Sequence, residues 1–159
     1  MLHHLSIAVK NPAHVARVLA KIVQGQEFPF PVFPNSYIVI VGDKYGTAIE
    51  IQPLGLELIP GETAVISQTN TSPSSFSSTH AAMTVPSSQA EIEAIAENEG
   101  WLHRYCDRGP FDLIEVWVEN HFMFEFIPPE MSSRYTDFMS IEKYSSFLNG
   151  GQIQLHKKT

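Results

Sequence analysis

A single cysteine, Cys106, stands among 159 residues. No internal disulfide can form, and no thiolate cluster is present to hold a metal. Any bound metal must therefore take nitrogen and oxygen ligands. Long apolar runs are missing as well: nothing approaches the roughly 20 residues that span a bilayer. The opening "MLHHLSIAVKNP" has no basic leader ahead of an apolar stretch. A cytosolic protein with no membrane partner is the expectation. Basic residues are sparse, with 10 Lys and Arg against 17 Asp and Glu and a net charge of −7. That balance repels polyanions, so nucleic acid is not an expected partner, and only the terminal "HKKT" is locally basic. What the chain does have is 43% apolar and 11% aromatic residues, enough for the core of one ordinary domain or of two small fused modules.

The second of these is favoured by an internal repeat. "HLSIAV" after residue 3 and "HAAMTV" after residue 79 align without gaps, so that His4 matches His80 at an offset of 76. Each run is followed by a helical pattern. In "NPAHVARVLAKIVQG" Asn11 is placed to cap and Pro12 to start the helix, and Val15, Val18, Leu19 and Ile22 recur at helical spacing. In "SSQAEIEAIAENEG" Ser88 and Glu91 have capping-box spacing and Gly100 lies past the end. At the far end of each half "AIEIQP" aligns with "MFEFIP", matching Glu50 to Glu125 at an offset of 75. Further strand candidates, "SYIVIVGD" and "FDLIEVWVEN", lie between. The expected organisation is a first βαβββ module over residues 1–66, a Ser/Thr-rich linker over 67–79, a second βαβββ module over 80–130, and a C-terminal helix and tail over 131–159.

Side chains alternate along strands, so His4 shares its face with Ser6 and Ala8 while Leu5, Ile7 and Val9 face the helices. His80 likewise has small neighbours, Ala82 and Thr84. Glu125 stands between Phe124 and Phe126 in a strand that reads as wholly buried, whereas Glu50 stands beside Gln52; Glu125 is the more deeply buried of the two in this reading. A carboxylate in such a strand is costly to bury without a cation, donors or water. Two imidazoles and two carboxylates suit Zn²⁺, Ni²⁺, Co²⁺, Mn²⁺ or Fe²⁺ and leave one or two positions open for water or substrate. His3 points away from His4 and is read as a rim residue. A nucleophile pair of His103 and Cys106 is disfavoured because their spacing of three puts them on opposite faces.

A duplicated βαβββ unit with His on the first strand and Glu in an "IEI" or "FEF" end strand resembles the vicinal-oxygen-chelate superfamily. That group includes glyoxalase I, extradiol dioxygenases and fosfomycin- and bleomycin-resistance proteins. The resemblance covers about residues 2–130. It departs from the superfamily's pattern at "VENHFMFEF", where many members carry an Asp-Pro-x-Gly-Asn turn, and in the first helix, which lacks their aromatic pair. The resemblance implies an α+β fold whose two modules line an open, barrel-like sheet with helices outside, and a divalent metal held by His4, Glu50, His80 and Glu125, within one chain or across a homodimer. It further implies a glyoxalase-like lyase or isomerase acting on a small vicinal-oxygen substrate, with Glu125 or Glu50 shuttling the proton. Two alternatives share the cleft: a metal-free small-molecule-binding protein of the bleomycin-resistance kind, and a 2-His-1-carboxylate iron dioxygenase.

Overall fold

The structure, a computed structural model, describes residues 2–74 and 76–150; the tail at 151–159, with its basic end, lies outside the described residues. The first half runs β1 (His4–Val9), α1 (Pro12–Val23), β2 (Gln26–Pro29), β3 (Tyr37–Ile40) and β4 (Ala48–Pro53). Next comes a hairpin of β5 (Leu56–Pro60) and β6 (Val65–Thr69). The second half runs β7 (Ala81–Thr84), α2 (Gln89–Asn98), β8 (His103–Asp107), β9 (Asp112–Val118) and β10 (Phe122–Ile127). Two helices follow, α3 (Pro129–Phe138) and α4 (Ile141–Gly150). The fold is thus α+β, with a βαβββ unit in each half.

Local chemistry explains where the helices begin and end. The Asn11 side chain accepts from the His14 N–H and Pro12 occupies the first turn of α1, while Gln24 closes it in the left-handed region. The next residue must be glycine, because a Cβ on Gly25 would lie 2.4 Å from the Ile40 carbonyl oxygen. At α2 the capping box is complete: Ser88 accepts from the Glu91 N–H, and the Glu91 carboxylate accepts from the Ser88 N–H. The C-terminal stretch makes two helices where the sequence suggests one. The Ser140 hydroxyl accepts from the Lys143 N–H, and so starts a new helix as α3 ends at Met139.

Each half forms a four-stranded sheet of matching order, β1-β4-β3-β2 and β7-β10-β9-β8, open rather than closed into a barrel. The first and last strands of each unit lie side by side and parallel, β1 on β4 and β7 on β10. This pairing brings each histidine's strand next to its glutamate's strand. One apolar face of both sheets, including Ile7, Val9, Ile49, Ile51, Phe124 and Phe126, merges with α1 and α2 into one continuous core. Polar contacts also tie the halves together. The Glu119 carboxylate, in the β9–β10 turn, accepts from the Lys10 and Asn11 backbone N–H groups at the start of α1. His14 of α1 pairs with Glu99 at the end of α2. Glu119 and Asn120 hold left-handed φ values of 51° and 55°, and the Glu119 carboxylate helps hold that turn by accepting from two backbone N–H groups just ahead of α1.

Among the described residues the hairpin β5–β6 has no counterpart in the second half, and it overlaps the start of the stretch 67–79. Every residue of β6 is exposed, so no burial pattern marks it in the sequence.

Candidate metal centre

Parallel register gives the two halves the same construction. Ser6 lies opposite Glu50, and Ala82 lies opposite Glu125. In both cases the histidine stands two residues earlier on the same face, since side chains alternate along a strand. His4 Nε2 comes within 3.8 Å of Glu50 Oε1, and His80 Nε2 within 3.9 Å of Glu125 Oε2. His80 Nδ1 lies 3.0 Å from the Ser78 carbonyl oxygen. With the Nδ1 proton donated there, the Nε2 lone pair faces the carboxylate, which is the tautomer a metal ligand needs.

The structure brings each pair together but does not join the pairs within the chain: among the described residues, no group of three or more His, Cys, Asp or Glu is close enough to share a metal. The expected difference in burial is also absent, with side-chain exposure of 16% for Glu50 and 15% for Glu125. Both sheets present their last strand at the same depth, so the phenylalanines beside Glu125 bury the core side of β10 and not its carboxylate.

The real asymmetry lies in what holds the second carboxylate oxygen. Glu50 Oε2 accepts from the neutral Ser6 hydroxyl at 2.6 Å. At the Ser6 position the second half has Ala82, and Glu125 Oε1 instead takes the Arg108 guanidinium at 2.9 Å. The rest of each sheet row follows the same division. Across the first sheet the row reads Ser6, Glu50, Ile38, Phe28; across the second it reads Ala82, Glu125, Glu115, Arg104. The first row sets a single carboxylate beside a neutral hydroxyl and two apolar side chains, and the second is a charge network.

Glu115 is the hub of that network. Arg104 Nε donates to its Oε1 at 2.8 Å and the Trp117 indole N–H to the same oxygen at 2.7 Å, while Arg108 Nη2 lies 3.4 Å from Oε2. Burial pushes the carboxyl up, but the bonds from Trp117 and Arg104 and the charge of both arginines outweigh it and hold Glu115 below its ordinary value of 4.5. A depressed carboxylate contributes stability that is fully present above the unfolded value and is lost as pH falls through the folded one. Because the guanidinium partners are half-exposed, the contribution is about 1–2 kcal/mol. Glu115→Gln should therefore unfold earlier than the parent at pH 7. The gap should narrow as pH falls below the ordinary value of 4.5 in paired urea titrations; a gap that persists undiminished at pH 3 would show that the carboxylate's charge is not the cause.

None of Ser6, Arg104, Arg108, Glu115 and Trp117 stands out in the repeat. Glu115 does carry the signal that marks Glu125, a carboxylate inside an apolar strand, but its counterpart Ile38 removes it from any pattern shared by the two halves. Among the described residues none of the remaining candidates joins either pair closely enough to share a metal, although Cys106 Sγ lies 3.7 Å from Glu115 Oε2. His3 Nδ1 bonds the Tyr45 carbonyl oxygen at 2.8 Å, and His103 Nδ1 bonds that of Trp101. Burial, followed by the charge of Glu115, pushes the Cys106 thiol up, which is the wrong direction for a nucleophile.

The donors fit a divalent metal by type. Bonds of about 2.0–2.2 Å place neighbouring ligand atoms roughly 3–3.5 Å apart, so each pair needs to close by only a few tenths of an ångström. By number each pair supplies two ligands, half of a four-ligand set. A cavity of about 250 Å³ at the junction of the halves reaches His4, Ala48, Ala82 and Phe124. It is smaller than the roughly 300–1,000 Å³ of a small-molecule pocket.

No family model and no curated protein sequence matches the chain. Solved structures do. The fosfomycin resistance protein FosX from Listeria monocytogenes, complexed with Mn(II) and a sulfate ion, superposes with a TM-score of 0.55 at 15% identity, over 87% of this chain and 97% of that one. A mutant of the same protein complexed with Mn(II) and 1S,2S-dihydroxypropylphosphonic acid gives 0.53 at 15% identity over 79% and 90%. FosX from Mesorhizobium loti gives 0.51 at 14% over 85% and 96%. Together with the paired βαβββ units and their matched registers, these likenesses establish that the chain has the fold of the vicinal-oxygen-chelate superfamily.

Proposed function

We propose that His4, Glu50, His80 and Glu125 form one divalent-metal centre, with the first pair from one copy of the chain and the second pair from another copy in a homodimer. The observation that carries this reading is the pair of equivalent half-sites. Each presents an imidazole Nε2 and a carboxylate oxygen 3.8–3.9 Å apart, with no third His, Cys, Asp or Glu among the described residues close enough to share a metal. The FosX structures complexed with Mn(II) support the metal, whose identity in this chain is open among Zn²⁺, Ni²⁺, Co²⁺, Mn²⁺ and Fe²⁺.

The activity that suits such a centre is that of a glyoxalase-like lyase or isomerase on a small substrate with neighbouring oxygens. A bound divalent ion would supply Lewis-acid stabilisation of charge developing on those oxygens. The chain's residues do the rest. The histidines hold the ion, the carboxylates offset its charge, and Glu50 or Glu125 takes a proton from substrate and returns it. The absence, among the described residues, of any helix long and apolar enough to cross a membrane accords with a cytosolic location.

The ion pair of Arg108 with Glu125 favours a second reading: if it persists beside the metal, the ligand set becomes His4, His80 and Glu50, the 2-His-1-carboxylate set of iron dioxygenases. Elemental analysis of protein purified without a histidine tag tests the metal. Close to one divalent ion per chain is expected, and protein that neither retains nor takes up metal would favour a metal-free binding function. Oxygen uptake with candidate diols after anaerobic loading with Fe²⁺ would favour the dioxygenase.

A further inference from the structure

Glu125 divides its two oxygens between two partners. Oε2 faces the His80 imidazole, and Oε1 holds the Arg108 guanidinium at 2.9 Å. Arg108 lies in the short β8–β9 loop, half-exposed, with a second carboxylate, Glu115, 3.4 Å away. From these contacts we infer that Arg108 is the counter-ion that a divalent metal must displace from Glu125, and that the guanidinium then passes to Glu115. The inference rests on the metal centre proposed above.

Electrostatics supplies the reason. Without metal, a carboxylate this shielded is stabilised by a cation, and Arg108 is that cation. A divalent ion at the same carboxylate meets a positive charge a few ångströms away, and the repulsion weakens its binding. Among the described residues the first half shows no such competitor, and Glu50 is tied to the neutral Ser6 hydroxyl. Glu115 makes displacement feasible: it already lies within reach of Arg108 and is depressed in pKa, so it is ionised and ready to take the guanidinium. Arg108 therefore acts as a positioning residue that sets metal affinity. It reserves Glu125 for a doubly charged ion able to displace it.

The test is Zn²⁺ titration of the chelator-treated full chain against a competing fluorescent chelator. Arg108→Gln should bind Zn²⁺ at least about tenfold more tightly than the parent, and Arg108→Lys should stay within about threefold of it because the charge remains. Arg134→Gln removes the same charge from an arginine that pairs with Asp112 instead, and should change affinity little. In the unsubstituted protein, the Arg108 guanidinium ¹⁵N–¹H signals should shift and saturate together with Zn²⁺ binding.

If the parent binds Zn²⁺ and Arg108→Gln binds it equally or more weakly, the inference is wrong and the metal centre stands. If Arg108→Gln does not fold, the signals in the parent still decide: no shift at saturation means that the guanidinium never leaves Glu125. If neither protein binds Zn²⁺, the inference and the metal centre fall together.

Discussion

A chain carrying His4→Ala and Glu50→Gln, mixed with a chain carrying His80→Ala and Glu125→Gln, should recover metal binding that neither has alone. Each double variant destroys one half-site and keeps the other, so each by itself should lose affinity by about two orders of magnitude or more. In a mixed dimer whose centres draw one pair from each copy, one centre inherits both damaged pairs and the other both intact pairs. One metal per mixed dimer is the expected content, half that of the parent, read by elemental analysis of the mixed dimer isolated after the two chains are refolded together. If the four residues instead shared a site within one chain, both centres would be damaged in every mixture and none would bind. The experiment therefore separates the two arrangements without any knowledge of the substrate, and its signal is all or none.

The largest loss of stability should come from Phe124→Ala. Phe124 is fully buried and packs between Phe122 and Phe126, with ring centroids 5.2 and 5.1 Å away. Removing a buried phenyl ring typically costs about 3–5 kcal/mol, partly as lost transfer energy and partly as a cavity. For a domain of this size that lowers the melting temperature by roughly 10 °C. The consequence reaches the site, because Glu125 is the next residue on the same strand, so Phe124→Ala should also loosen the His80–Glu125 pair. Calorimetry of the metal-free and Zn²⁺-saturated protein checks both points. The parent should gain about 2.7 kcal/mol at a metal concentration 100 times its dissociation constant, and Phe124→Ala should gain less at the same concentration. A loss under about 1 kcal/mol would mean that the neighbouring rings collapse into the space.

The sequence by itself determined the starts of α1 and α2 and the alternation of the end strands, which depend on local order. Asn11 and Pro12, and Ser88 and Glu91, start their helices because capping involves only a few neighbouring residues. The alternation in "HLSIAV" and "MFEFIP" decides which residues face the core, because it follows from backbone geometry along one strand. The repeat then carried His4, Glu50, His80 and Glu125 into view, since a duplication leaves matched residues at matched distances.

Only the tertiary structure decided which partners those residues meet. Ser6 reaches Glu50 across a parallel strand pair, and Arg108 reaches Glu125 from a loop 17 positions away; neither contact follows from spacing, because strand register and loop direction are settled by packing of the whole sheet. The same holds for Glu115, whose importance comes from Arg104, Arg108 and Trp117 converging on it across adjacent strands. Equal burial of Glu50 and Glu125 is likewise a property of the sheet, since depth depends on what covers a face and not on which apolar residues flank a position along the strand. The separation of the two half-sites is the furthest from the sequence of all: a repeat shows that two pairs exist, but the distance between them is set by how two whole modules pack.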